Sequence, residues 1–216
     1  MLEIFFAPVC VRCNKYLGSG NGEKSLVCGD CFDGIPVYKT ISYSPSFTLA
    51  AVSSYENETI RELLHYFKYK RFLGAMGTIE ELIAKYLGGV DIKNMIPPDA
   101  VIVPIPLHKK RLRERGFNQA EEIARILGER LNLQVRNRVL IKTLDTEHQT
   151  SLSDKDGRSK NVRGSFALSH DADVGGKTVL LVDDVYTTGA TMNEAAKILR
   201  RAGVKSIIGF VIAKTA

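Results

Sequence analysis

Residues 180–191 read LLVDDVYTTGAT. An apolar run stops at two adjacent aspartates, Asp183 and Asp184. Two residues later comes a stretch of threonine, glycine and alanine that leads into ATMNEAAKILRRAG (190–203), a segment with helical periodicity. Neighbouring carboxylates repel each other, so a chain that keeps both at the end of a buried strand has a use for them. A helix start offers unpaired backbone N–H groups and the positive end of the dipole, which together suit a phosphate. Side chains as small as those of Thr187, Thr188, Gly189, Ala190 and Thr191 let a ligand approach the backbone, and the threonine hydroxyls add donors.

The segments around this stretch predict its setting. AVIVPIP (100–106), KTVLLVDD (177–184) and VKSIIGFVIA (204–213) read as strands, and QAEEIARILGERL (119–131) as a helix. QVRNRVLIKT (134–143) alternates like a strand, with VRGSFAL (162–168) as its pairing partner. Strands alternating with helices predict an α/β fold, a mostly parallel sheet flanked by helices. In such sheets ligands bind beyond the carboxyl ends of the strands. The acid pair cannot share a phosphate with the loop without repulsion, so it faces a cation or a neutral, hydroxyl-rich group. A ribose with free 2′ and 3′ hydroxyls, its 5′-phosphate on the loop and magnesium nearby meets these demands. Upstream, LAAVSSY (49–55) reads as a strand. Ile60, Leu63, Leu64 and Phe67 form one apolar helical face, a second helix is expected from about Thr78 to Leu87, and GGVDIKNMIPPDA (88–100) reads as a linker.

All four cysteines lie near the start, as Cys10-x2-Cys13 and Cys28-x2-Cys31 separated by 14 residues. Two such turns supply a tetrahedral thiolate site, and the intervening polar, glycine-rich loop suits a zinc ribbon or knuckle. A disulfide pairing would require an oxidising compartment, and MLEIFFAPVC (1–10) lacks the basic leader of a signal peptide. A thioredoxin-like redox site would need one CxxC turn, not a matched pair. Structural Zn2+ on Cys10, Cys13, Cys28 and Cys31 is therefore expected. The predicted organisation is a zinc module over 1–36, a helical connecting or hood segment over 37–100, and the α/β domain over 101–216.

With 44% hydrophobic and 25% charged residues the chain has an ordinary globular composition, and no apolar run is long enough for membrane insertion. A net charge of +6 suits an anionic partner, or none in particular. VPIPLHKKRLRERGFNQA (103–120) crowds Lys109, Lys110, Arg111, Arg113 and Arg115 after a strand, with Arg115 singled out by the permissive Gly116 beside it. TEHQTSLSDKDGRSKNVRGSF (146–166) reads as a closing loop carrying Lys155, Arg158, Lys160 and Arg163, or as a hairpin connection. HYFKYKRF (65–72) mixes aromatics with cations, as a single-stranded nucleic-acid surface does, or as a helix with a basic outer face does. The four histidines form no metal pattern.

VLLVDDVYTTGAT (179–191) resembles the PRPP-binding signature of the type I phosphoribosyltransferases. That resemblance implies that Asp183 and Asp184 hold the ribose hydroxyls, that Thr187 to Thr191 hold the 5′-phosphate, and that cations such as Arg115 stabilise departing pyrophosphate. Members acting on oxopurines carry an acid where this chain has Thr187, and an aliphatic residue is usual at Tyr186, so an oxopurine acceptor is not expected. The cysteine quartet, FKYKRFLG (67–74), RGFNQ (115–119) and NVRGSFAL (161–168), in this order before the signature, are similar to the ComF family of phosphoribosyltransferase-like proteins. Membership implies a cytoplasmic protein of DNA uptake, associated with single-stranded DNA and a helicase-like competence protein. It implies either a pyrophosphate-releasing transferase with an unnamed acceptor and Mg2+ beside PRPP, or a non-catalytic single-stranded DNA-binding factor that senses PRPP. A regulator of nucleotide metabolism is a third reading, although the sequence offers no recognition helix.

Overall fold

The computed structural model describes residues 9–18, 25–44, 46–69, 73–90, 92–145 and 162–215. Residues 1–8, read above against a leader, lie outside these, as do Lys70, Arg71, Phe72, His148, Lys155, Arg158 and Lys160. The elements run α1 (Gly29–Asp33), β1 (Ser42–Tyr43), β2 (Thr48–Ser54), α2 (Glu58–Tyr69), α3 (Leu73–Gly89), β3 (Val101–Pro104), α4 (Lys109–Arg115) and α5 (Gln119–Leu131). They continue with β4 (Gln134–Val135), β5 (Leu140–Lys142), β6 (Phe166–Leu168), β7 (Thr178–Tyr186), α6 (Ala190–Arg201) and β8 (Ser206–Lys214).

Six strands form the central sheet in the order β1-β2-β8-β7-β3-β4, parallel except for β1 at the edge. This is the expected α/β class. The central strands β7 and β8 are buried on both faces, and their near-continuous Val, Ile and Leu content follows from that. On one face α2, α3 and α5 pack over Leu180, Val182, Ile208 and Phe210. On the other, α6 packs over Val179, Leu181 and Val211, joined by Leu140 and Phe166 of the small β5–β6 sheet. The apolar stripe of α2 is the predicted one: Ile60, Leu63, Leu64 and Phe67 are all at most 1% exposed. Burying each such side chain contributes about 1.5–3 kcal/mol.

Two expectations need correction. QVRNRVLIKT is not one strand. Its first two residues extend the central sheet beside β3, a turn intervenes, and Leu140–Lys142 then pairs antiparallel with Phe166–Leu168. The pairing with VRGSFAL is as expected, but it lies in a separate sheet. In addition, the buried strand does not end at the acids. The β7–β8 ladder continues to Tyr186↔Lys214, so Asp183 and Asp184 are still in a strand. No helix among the described residues is long and apolar enough to cross a membrane.

Candidate phosphoribosyl and metal sites

Two adjacent residues in a strand project to opposite faces of the sheet. Asp184 meets Lys68 of α2, whose Nζ lies 3.0 Å from its Oδ2. Asp183 also feels the Lys68 charge and, after it, that of Lys142 of β5. The Asp183 carboxylate also accepts the backbone N–H of Asp184 at 2.9 Å. Burial, followed by the neighbouring Asp184 charge, raises the Asp183 pKa to about 7, while that N–H, Lys68 and Lys142 pull against the rise. Burial lowers the Lys142 pKa, and Asp183 partly restores it. Its ammonium stacks 5.2 Å from the Phe166 ring centroid.

The chain turns after Tyr186 and enters α6 through Gly189, whose φ of +74° is the left-handed conformation that favours glycine. The Tyr186 ring lies directly against Gly189: a methyl group added there would sit 2.5 Å from Cζ and 2.8 Å from Cε2. Phe47 supports the ring edge-on, at 6.3 Å between centroids. The departure of Tyr186 from the aliphatic residue usual in the signature thus has a packing role under the loop. Thr188 Oγ1 accepts the Ala190 N–H at 3.4 Å. Thr215 bonds the main chain of both Tyr186 and Thr187.

A cavity of about 400 Å³ opens at this rim. Asp183, Asp184, Thr187, Thr188, Ala190 and Thr191 line it, with Arg115 and Arg111 of α4, so the expected site residues converge on one space. Gly189 is buried behind the loop rather than lining the cavity. The basic segment after β3 is mainly a helix, and helical spacing sorts its charges. Arg111 and Arg115, four apart, face the cavity, whereas Arg113 is exposed and its guanidinium bonds the Lys109 carbonyl. Asp145, after β5, draws the start of α4 inward, 3.3 Å from Arg111 Nε and 3.6 Å from Lys110 Nζ.

Sequence reasoning missed Lys142 and misread Lys68. Lys142 shares a strand face with the buried Leu140, and that alternation was the available signal. Lys68 follows the core residue Phe67 and points to Asp184, so this part of HYFKYKRF is committed to the cavity rather than to an outer stacking surface. RGFNQ proves to be a joint. Gly116 caps α4 in the left-handed region and Phe117 packs on Phe67 at 5.7 Å. Asn118 caps α5 and donates to the Ile105 carbonyl, while Gln119 Nε2 donates to the Lys68 carbonyl at 3.3 Å and Gln119 Oε1 accepts from Arg115 at 3.0 Å.

In the N-terminal segment the four cysteine sulfurs lie within 4.8 Å of one another, none in a disulfide. Cys13 and Cys28 are 3.6 Å apart. Zn–S bonds of about 2.3 Å at tetrahedral angles would place sulfurs about 3.8 Å apart, so the donor set fits such an ion. Asn14, at φ +60°, closes the first turn, and the second CxxC opens α1. Burial opposes ionisation of Cys10, yet backbone hydrogen bonds from Cys28, Cys13 and Arg12 lower its pKa to about 6. The knuckle is fastened to α3 by Thr78, fully buried, whose hydroxyl accepts the Leu26 N–H at 3.0 Å, pairs with Ser25 at 3.0 Å and donates to the Gly74 carbonyl at 2.9 Å.

The phosphoribosyl transferase domain family matches residues 78–215. The chain is 30% identical to Competence protein F of Haemophilus influenzae across 95% of its own length and 90% of that protein. It is 29% identical to DNA utilization protein YhgH of Escherichia coli K12, and 30% identical to Competence protein ComFC of Bacillus subtilis, in each case over 96% of this chain and 84% of the relative. A match that runs from the cysteine knuckle through the acid pair places the chain in the ComF family of phosphoribosyltransferase-like proteins.

Proposed function

We propose that the protein binds PRPP with Mg2+ at the β7–α6 cavity and transfers its phosphoribosyl group to an acceptor, in the service of DNA uptake. The observation that carries this reading is the convergence of Asp183, Asp184 and the Thr187–Thr191 loop on one cavity at the carboxyl edge of a parallel sheet. The loop and the first turn of α6 hold the 5′-phosphate, and the acids accept from the 2′ and 3′ hydroxyls. Carboxylate oxygens suit a hard cation such as Mg2+, which would offset the charge of the pyrophosphate. Arg111 and Arg115 stabilise pyrophosphate as it leaves with the electron pair of the C1′–O bond, and the acceptor attacks C1′ from the opposite face. Positioning and preorganised charge supply most of the rate. The residue at Thr187 has no carboxylate to move a proton on an oxopurine.

The thiol quartet holds Zn2+ and organises the N-terminal segment, its thiols kept reduced in the cytoplasm. The names of the relatives support a role in DNA uptake, where a helicase-like competence protein would be a partner. Calorimetry with Mg-PRPP tests the site: native protein binds, and Asp183→Ala combined with Asp184→Ala removes binding. Unchanged affinity in that variant rejects the assignment.

A second reading is a non-catalytic factor that binds single-stranded DNA and senses PRPP. It is favoured by a hollow of about 880 Å³ beside the loop, lined by Arg163, Lys197, Arg200 and Arg201. Pyrophosphate release with candidate acceptors separates the two readings. Titrations with single-stranded DNA over a range of salt test the basic surface, since a slope near zero of log K against log salt is incompatible with phosphate contacts.

A further inference from the structure

Lys68 lies outside the loop-and-acids signature, on the last turn of a helix from a different part of the chain, yet its ammonium lies 3.0 Å from Asp184 Oδ2. Both side chains are largely withdrawn from water, 22% and 13% exposed. Burial opposes the lysine charge, but Asp184, and then Asp183 and Tyr55, more than compensate and hold its pKa above the usual lysine value. This is more than the reach of a flexible side chain. The main chain at Lys68 is clamped where α2 ends: its carbonyl accepts from Gln119, which is 2% exposed and in turn bonded to Arg115, and the preceding Phe67 packs on Phe117. RGFNQ therefore braces the end of α2 so that Lys68 stands over the acid pair.

We propose that Lys68 is a built-in cation of the sugar subsite, occupying at Asp184 the place a divalent ion would otherwise take, so that a ribose 5-phosphate group is held without metal. The proposal rests on the PRPP-site reading above and adds to it a division of labour. A ribose diol is neutral, so two bare carboxylates would repel the phosphate that arrives with it. With Lys68 paired to Asp184, that charge is offset before the ligand enters. An ion bound directly to Asp184 would sit against an ammonium on the same carboxylate, and the two cations would repel. The demand for Mg2+ then falls on the pyrophosphate, which ribose 5-phosphate lacks. Lys68 is a binding residue here, touching the group that touches the sugar, and the Arg115–Gln119 brace positions it.

The test is calorimetric, on the full chain with its thiol site metal-loaded. Ribose 5-phosphate is titrated in Mg2+ and, after transfer to metal-free buffer, with a chelator too weak to strip the thiol site. Inorganic phosphate is titrated in parallel to report on the α6 loop alone. For native protein, the two ribose 5-phosphate affinities should agree within about threefold, whereas PRPP should require Mg2+. Lys68→Gln should weaken ribose 5-phosphate about tenfold or more without metal, the scale of a lost hydrogen bond to a charged group, and Mg2+ should recover part of the loss. Inorganic phosphate, which feels only the uncovered charge of the acid pair and makes no diol contact, should weaken less than ribose 5-phosphate does, and Lys68→Arg, which keeps both the charge and the main-chain clamp, should behave as native.

Native binding of ribose 5-phosphate that requires Mg2+, or a Lys68→Gln variant that binds like native without metal, overturns the proposal. If inorganic phosphate and Mg-PRPP bind while either of those results is obtained, the PRPP reading stands and Lys68 alone is misassigned. If none of the three ligands binds under any condition, both readings fall.

Discussion

Replacing Gly189 with alanine adds a single methyl group at the entrance to α6, and its cost can be worked out in two parts. The backbone there is left-handed, φ +74°, where an L side chain costs about 1–2 kcal/mol. The methyl would also lie 2.5 Å from Tyr186 Cζ and 2.8 Å from Cε2. Such overpacking costs a further ~1–3 kcal/mol, because the ring is held between the loop and Phe47. The expected loss is about 2–5 kcal/mol, or a fall in Tm of roughly 4–20 °C for a chain of this size. Urea unfolding of Gly189→Ala, Tyr186→Val and the double variant separates the parts. Removing the ring abolishes the clash but not the backbone strain, so the double variant should be more stable than the sum of the singles predicts, by about 1–3 kcal/mol. Costs that add within ~0.5 kcal/mol would refute the packing of Tyr186 under the loop that enters α6.

Asp183 gives a pH prediction. Its folded pKa of about 7 lies above the ordinary 3.8, so the folded state favours the protonated acid. That contribution is complete below pH 3.8 and is lost as pH rises through about 7. Denaturation midpoints measured across this window should fall less steeply for Asp183→Asn than for native protein, and equal slopes would contradict the assignment. Metal analysis should find stoichiometric zinc, and strong chelation should release it with loss of stability; metal-free protein of unchanged stability would exclude a structural ion. Thr78→Val keeps the side-chain shape but leaves the buried Leu26 N–H without its acceptor. A loss of about 1–3 kcal/mol in urea unfolding is expected, and a neutral variant would show that Thr78 does not fasten the knuckle.

The parts of the site that are local in the chain were legible in the sequence. The acid pair, the small-residue loop and the start of α6 follow one another, and each cysteine pair is a single turn. The stripe Ile60, Leu63, Leu64 and Phe67 was equally plain, because helical periodicity needs no knowledge of what lies opposite. What could not be read was set by distant partners. Polarity marked Asp183 as the end of a strand, but the backbone bonds to β8 carry the strand on to Tyr186. Alternation joined Gln134 to Thr143, yet period two does not say which sheet a residue enters, and the turn before Val139 divides the stretch between two sheets. Lys68 looked like one more cation among aromatics until the fold brought α2 over Asp184, and RGFNQ became intelligible only once the Lys68 carbonyl lay beside Gln119.

The strand order has a consequence for how the molecule is made. β2 and β7 are both hydrogen-bonded to β8, the last of the described strands, and Thr48 meets its partner Ile208 only 160 positions later. A nascent chain emerging from the ribosome therefore carries an apolar β2 with an open edge until residues 208–214 have been made. Such non-local pairing slows folding and leaves the unfinished chain prone to aggregate. Premature termination before residue 206 would remove the strand that joins the two sides of the sheet, and with it the ladder along which Asp183 is aligned. Truncation products are expected to be insoluble rather than partly active.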